Sequence, residues 1–384
     1  MVGRLEKKFR CIGRLLTIVL VVMITVSLIG CKKPLKVGST ANDGNGTYYS
    51  NIRPAIGPTV EKETKNNIDI SSQIKITVKI QSGSVKITRG DQDELQIIEK
   101  TSLKGPASEE YLNQILKDIK STVETTTMSV SINHKAYLAP DVETDTLTDA
   151  EAEEELRPLY RCNVDLELIV PETIKSIYVD AENAAISLSG FEGMSRVELS
   201  AERGLINVNQ CSSGKISASV DNGDIWMEDI TGNGTYECGR GDIMLNGVKG
   251  SVDVKSLAGD SSIENVEGKV NCDISAGSLA VRESKMESGS VLYASTGTIS
   301  ADMEGIGSAG TFTIKSSSGD IRVKLPKKDG WSMSAKSTRG RIKNHMDTIP
   351  ETLETGADGE VYGDVNGGGS SIDIYTDMGS IILN

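Results

Sequence analysis

The chain has 384 residues, of which 41 are Lys or Arg and 54 are Asp or Glu, giving a net charge of −13. Five basic residues and one acidic residue precede Cys31, so the remainder keeps 36 basic and 53 acidic residues, a net charge of −17. A chain this negative repels nucleic-acid phosphates, which excludes DNA and RNA as partners. Aromatic residues make up only 4% of the chain, which argues against a carbohydrate platform of exposed rings.

Residues 1–30 have the pattern of a lipoprotein signal peptide. A basic head precedes an uncharged apolar run from Leu15 to Ile29. A basic head, an apolar core and a small residue before the cleavage point are typical of secretory signals, and the run is shorter than the roughly 20 residues that cross a bilayer. Leu28-Ile29-Gly30-Cys31 resembles a bacterial lipobox. The resemblance implies lipid on the Cys31 thiol and attachment to the outer face of the cell membrane. The alternative is an ordinary signal peptide in which Cys31 has no role.

Residues 31–66 show no apolar period and are predicted to form a flexible tether. Residues 67–180 are predicted to form an N-terminal cap of strands with one amphipathic helix. That helix should run from Glu109 to about Val123, with Ser108 as its N-cap, and pack on the open end of the repeats that follow.

An acidic stretch interrupts the predicted cap. From Asp141 to Glu155 the chain carries eight carboxylates and no basic residue. We interpret it as a solvated loop, with a weak calcium-binding or partner-binding loop as the alternative.

Residues 181–384 repeat one short phrase, in which a glycine is followed by a polar residue and an alternating apolar pair. The intervals between copies are 18 to 22 residues, except for a last interval of 39, and a degenerate copy stands at Ala184 and an early one at Gly83. Alternation over short runs indicates strands with one buried face, and a fixed period indicates that like residues stack on like. The sequence therefore predicts an all-β fold: a single-stranded parallel β-solenoid with about 18–22 residues per rung. The glycines of the full copies are Gly204, Gly223, Gly241, Gly259, Gly277, Gly297, Gly319, Gly340 and Gly379.

Three of the cysteines after Cys31, namely Cys211, Cys238 and Cys272, are predicted to be small buried hydrophobes that need no disulfide. Cys238 and Cys272 fall two rungs apart, about 9.6 Å, which exceeds the roughly 7 Å limit for a bridge. Cys211 falls in the same column as Ile230 and Val248.

Two features are candidate sites. Asp224, Asp242 and Asp260 occupy one position in consecutive rungs, where stacked carboxylates could bind a divalent cation or act as acids, although Asp after Gly is a common turn residue. Trp226 points outward by alternation and lies beside Met244 of the next rung, so the pair is a candidate partner contact. The sequence has no nucleophile motif, phosphate loop or metal-ligand spacing, and we expect neither an enzyme nor a cofactor.

The repeats resemble the bacterial "putative adhesin" family, a domain of otherwise unknown function. The resemblance is carried by Val170-Pro171 after a strand, the serial Gly-Asp-Ile turns and the ending from Gly367 to Ile381. It implies the solenoid fold and transfers no catalytic residue.

Three functions are compared on this basis. The first is a non-enzymatic, surface-anchored module for adhesion or for contact with a protein or envelope polymer. The second is an envelope-stress regulator that contacts a membrane signalling partner, and the third is a polysaccharide-active β-helix.

Overall fold

Twenty-five strands join into one continuous sheet. This arrangement is seen in a computed structural model, which describes residues 57–70, 74–134, 160–306, 309–346, 354–355 and 359–384. The elements are β1 (Thr59–Asp69), β2 (Lys75–Arg89), β3 (Glu94–Lys104), α1 (Glu109–Asp118), β4 (Thr122–Thr125), β5 (Ser129–His134), β6 (Arg161–Val170), β7 (Ser176–Arg203), β8 (Ile206–Asn222), β9 (Ile225–Arg240), β10 (Ile243–Lys249), β11 (Val252–Ala258), β12 (Ser261–Glu264), β13 (Glu267–Gly268), β14 (Val270–Ala276), β15 (Leu279–Met286), β16 (Ser290–Thr296), β17 (Ile299–Gly305), β18 (Thr311–Ser318), β19 (Ile321–Lys324), β20 (Trp331–Ser337), β21 (Ile342–Asn344), β22 (Glu354–Thr355), β23 (Glu360–Val365), β24 (Ser370–Met378) and β25 (Ile381–Leu383).

One rung of the solenoid has three sides. Strands β11, β12 and β13 form one complete rung and pair in parallel with β14 and β15 of the next. Between these two rungs the register is 18 residues on all three sides, with Val252 opposite Val270 and Ser261 opposite Leu279. We refer to these as the first, second and third sides. The predicted parallel β-solenoid is confirmed.

The core is a set of apolar columns inside these sides. On the second side, Ile243 pairs in register with Ile225, and Leu245 pairs with Met227. All four side chains are buried, with at most 2% of their surface exposed. Burying such a side chain stabilises a fold by about 1.5–3 kcal/mol, so stacking like on like gives each rung a share of one continuous core.

The turn between the first and second sides requires glycine because consecutive rungs touch there through their main chains. Gly259 has a φ of +131°, and a Cβ on it would lie 1.9 Å from the carbonyl oxygen of Gly241. The equivalent distance stays between 1.8 and 2.1 Å along the whole column from Gly223. No side chain fits such a contact.

The corner between the second and third sides also has positive φ, although it does not require glycine. In six consecutive rungs one residue adopts it, with φ between +48° and +79°, and four of the six are not glycine. These corner residues are Gly190, Gln210, Asp229, Gly247, Asn265 and Glu283.

At the C-terminal end the rungs do not stack in chain order. Strand β24 pairs on one edge with β18 and on the other with β20, while β25 lies between β19 and β21. The glycine column agrees, because a Cβ on Gly379 would meet Gly319 and one on Gly340 would meet Gly379. The rung formed by residues 370–383 therefore lies between two rungs that precede it in sequence. The chain between Gly340 and Gly379 also forms β22 and β23, and β23 pairs antiparallel with β20. This excursion lengthens the interval to 39 residues.

The N-terminal end has the same inversion. Strand β2 is the first rung in sequence, yet it pairs with β7 on one edge and with β5 and β6 on the other. Gly83 lies opposite both Val164 and Ala184. The rungs thus begin at Lys75, within the segment that the sequence assigned to the cap.

The cap consists of antiparallel strands and the helix. Strands β1 and β3 extend the second side beyond β6, and β4 pairs with β5. Helix α1 is capped by Ser108, whose hydroxyl accepts a hydrogen bond from the Tyr111 amide at 3.3 Å. The helix ends at Asp118, five residues before the predicted Val123, because Ile119 is already extended.

The helix packs on the cap strands. The sequence had suggested packing on the open end of the repeats, and that prediction is wrong. Leu112 and Leu116 of the helix form a separate apolar cluster with Val60 and Leu103 of β1 and β3. Strand β1 begins at Thr59, so the last eight residues of the predicted tether belong to the cap.

We predict that Gly259→Ala lowers the free energy of unfolding by at least about 4 kcal/mol, because the new methyl group collides with the Gly241 carbonyl. Gly193→Ala is the matched control: Gly193 also has positive φ (+64°), but no atom lies within 4 Å of an added Cβ. It should cost only about 1–2 kcal/mol. Denaturant unfolding of both variants measures the difference, and equal costs would contradict the close contact between the rungs.

Candidate functional site

The exposed apolar pair that the sequence predicted lies on the second side. Ile225 and Met227 point into the core, so Trp226 between them points outward and is 40% exposed. Met244 of the next rung is its register partner and is 41% exposed. The two side chains together form a small apolar surface on a rigid sheet, which we call the Trp226–Met244 pair.

The same row continues with polar residues on both sides of the pair. Asn207 is the register neighbour of Trp226, and Ser262 is that of Met244. Glu228 lies two positions along the strand from Trp226, and its carboxylate accepts a hydrogen bond from the Asn209 side-chain Nδ2 at 2.8 Å. Protein interfaces commonly have an apolar centre and a polar rim, and this small surface has the same composition.

The aspartate ladder bonds to the main chain of the next rung. Asp224 Oδ1 accepts a hydrogen bond from the Asp242 amide, and Asp242 Oδ1 accepts one from the Asp260 amide, each at 2.8 Å. Asp260 accepts from the Ser278 amide at the same distance, so the series continues where Ser replaces Asp. These bonds match the turn role that Asp after Gly commonly has.

The ladder gains no support as a metal site. Among the residues that the structure describes, no three His, Cys, Asp or Glu side chains are grouped so that they could hold a metal ion. Cation binding by Asp224, Asp242 and Asp260 therefore stays a prediction.

Three of the cysteines are buried thiols, as predicted. Cys162, Cys211, Cys238 and Cys272 are all unbridged, and only Cys162 is partly exposed. Burial raises the pKa of Cys211 to about 12, and burial with the nearby charges of Asp224 and Asp242 raises that of Cys238 to about 11. Burial also raises the pKa of Cys272. Since the thiolate is the reactive form, these side chains serve packing.

The cap contains a buried polar cluster that the sequence did not reveal. The Glu99 carboxylate accepts hydrogen bonds from the Ser121 amide at 3.1 Å and the Thr101 hydroxyl at 3.2 Å. His134 is buried nearby with neither ring nitrogen hydrogen-bonded to the described residues, and burial lowers its pKa. These residues come from three separate chain segments, so no local spacing could have grouped them.

A shallow groove of about 290 Å³ crosses the first side at the N-terminal rungs. It is lined by Ser200, Ser217 and Ser219 together with Tyr178, Asp180 and Glu198. Alternation places the side chains of Tyr178, Asp180 and Glu198 outward, whereas Val179 and Leu199 belong to the core. The lining residues are Thr77, Tyr178, Val179, Asp180, Glu198, Leu199, Ser200, Ser217 and Ser219.

Two features predicted from the sequence lie outside the described residues. These are the signal segment with Cys31 and the acidic stretch from Asp141 to Glu155. Within the described residues, no helix has the length and apolar character needed to span a membrane.

Comparison with known proteins shows the family. The model of the family described as Toastrack DUF4097 matches residues 59–384. No curated protein matches the chain.

Two solved structures resemble the chain. A putative cell adhesion protein from Clostridium sporogenes is 11% identical over 84% of this chain and 99% of its own, with a TM-score of 0.19. A putative adhesin from Bacteroides fragilis is 11% identical over 84% of this chain and 97% of its own, with a TM-score of 0.29. Both TM-scores are too low to carry an argument, so the assignment rests on the family match and on the rung geometry that agrees with it. The chain belongs to the Toastrack DUF4097 family.

Proposed function

We propose that this chain is a non-enzymatic interaction module of the cell envelope, anchored to the membrane through lipid on Cys31. In this proposal the solenoid holds a rigid face outside the membrane for adhesion or for binding a protein or envelope polymer. The proposal agrees with the adhesin resemblance of the repeats and with the acidic composition of the chain after Cys31.

The observation that carries the proposal is the Trp226–Met244 pair. Two large apolar side chains on adjacent rungs, each about 40% exposed, stand together between the polar register neighbours Asn207 and Ser262. Tryptophan is enriched among residues that dominate binding energy, because its ring buries a large area for few rotatable bonds. The sheet beneath holds the main chain of both residues in place, so binding would lose little conformational entropy.

The regulator would use the same surface as the adhesion module, whereas the enzyme would use a different one. An envelope-stress regulator would use the pair to contact a membrane signalling protein, whereas an adhesion module would use it on a wall polymer or an extracellular protein. A polysaccharide-active enzyme would instead need free carboxylates, and the Oδ1 atoms of Asp224, Asp242 and Asp260 already accept main-chain hydrogen bonds.

We predict that Trp226→Ala lowers recovery of the physiological partner from crosslinked cells at least about tenfold, as expected for loss of a central anchor worth about 2 kcal/mol or more. Leu257→Ala is the matched control, since Leu257 is 67% exposed on a different side of the rung. Mass spectrometry and polymer analysis of the captured material identify the partner class. A signalling protein would favour the regulator, and wall polymer or extracellular protein would favour adhesion. Unchanged capture with Trp226→Ala would show that the pair is not the contact.

We predict that fatty-acid label is incorporated into the wild-type chain and not into Cys31→Ser, because the thiol is the proposed lipid attachment point. The Cys31→Ser protein should leave the membrane fraction, since an acyl chain contributes about 0.8 kcal/mol per buried methylene. Cys11→Ser controls for the loss of a thiol in the signal segment. Labelling that persists in Cys31→Ser would contradict the anchor.

A further inference from the structure

The rung of residues 370–383 fills a slot between two rungs that the chain has already formed. On one face of the slot, the Gly319 and Ile321 amides donate to the Met378 and Ser380 carbonyls at 2.8 and 2.9 Å. On the other face, the Ile381 amide donates to the Arg341 carbonyl at 3.0 Å. Withdrawing this rung would leave two open strand edges facing each other, which is the kind of surface that pairs with another chain.

The slot is specific for the sequence that occupies it. Ile372, Ile374, Ile381 and Leu383 all enter the core with at most 2% of their surface exposed. The Asp320 carboxylate accepts from the Ser380 amide at 2.8 Å, and the Ser337 hydroxyl donates to the Gly379 carbonyl at 2.7 Å. Gly379 itself fits because a Cβ there would lie 2.0 Å from the Gly319 oxygen. The occupant that satisfies all of these contacts is residues 370–383 of this chain.

The segment leading into this rung is a glycine hinge. Asn366, Gly367, Gly368 and Gly369 have consecutive φ values of +52°, +83°, +77° and +153°. The Asn366 side-chain Nδ2 donates to the Lys327 and Asp329 main-chain carbonyls at 3.0 and 3.1 Å, which holds the turn closed. No atom lies within 4 Å of a Cβ added to Gly367, so the hinge is not packed into the core. Glycines gain more freedom on opening than other residues do.

We propose that two copies of this chain exchange the rung of residues 370–383, so that each copy fills the slot of the other. The exchanged rung makes in the second copy the same hydrogen bonds and apolar contacts that it makes in its own. The two forms therefore differ only at the hinge and in the entropy of association, which is the condition under which segment exchange is favourable. The interface is independent of the Trp226–Met244 pair and of the proposed envelope role.

Disulfide trapping during refolding tests the exchange. Ser318 and Met378 are register partners on adjacent rungs, and parallel neighbours about 4.8 Å apart are within disulfide reach. A nitrogen-15-labelled Ser318→Cys chain and an unlabelled Met378→Cys chain are refolded together at low and high concentration, then oxidised. Mass spectrometry of the linked peptides separates bonds between copies from other products. We expect a labelled–unlabelled bond between positions 318 and 378 whose yield rises with concentration.

Two controls keep the test decisive. Leu257→Cys in place of Met378→Cys measures random collision of exposed thiols, because Leu257 is exposed and does not face Ser318. The double variant Ser318→Cys/Met378→Cys in one chain must close an internal bond at low concentration, which shows that the rung occupies its slot. Interchain yield no higher than that of the Leu257→Cys mixture, or a double variant that does not close, would overturn the proposal.

A hinge variant provides an independent readout. Gly367→Ala disfavours the positive φ (+83°) of the closed hinge, and no atom lies within 4 Å of the added Cβ. It should raise the exchanged fraction about fivefold or more at a fixed concentration. An unchanged fraction would show that the hinge does not control exchange.

Discussion

The main-chain contact between successive turn glycines is the constraint on which the solenoid depends. At Gly259 the neighbouring carbonyl occupies the place that a Cβ would take, and the same contact recurs along the column. Rungs that approach this closely align every strand at one register, so like residues face like and the apolar columns become continuous. The outward positions are fixed by the same register, which is why Trp226 and Met244 meet on the surface.

Polar side chains support the register from outside the core. The ladder of Asp224, Asp242 and Asp260 ties each turn to the next through a carboxylate–amide hydrogen bond. Opposite charges on neighbouring rungs also pair, as Lys255 does with Glu237 at 3.0 Å and Arg282 with Glu264 at 2.7 Å. Exposed pairs of this kind contribute about 0–1 kcal/mol each. Their larger effect is on pairing, because a shifted register would separate the opposite charges of these pairs.

Much of the fold and one candidate site followed from the sequence because both depend on a local period. Alternation around Ile225 and Met227 fixed the outward direction of Trp226, and the 18-residue spacing fixed Met244 as its neighbour. The order of the terminal rungs could not be predicted, since the phrases at Gly340 and Gly379 look alike and only pairing across a long insertion decides which is outermost. The cluster of Glu99, Ser121 and His134 was equally hidden, because it assembles across the cap.

The central claim is that the rungs stack in an order set by their contacts with one another and not by their order along the chain. Native-state hydrogen exchange tests it most directly, because an amide in a strand flanked on both sides opens less often than one in an edge strand. Residues 371–378 lie between two rungs, whereas residues 342–344 pair on one edge only within the described residues. The account predicts slower exchange in 371–378 than in 342–344, even though 371–378 comes later in the sequence. Faster exchange in 371–378 would show that this rung is outermost and would contradict the inserted order.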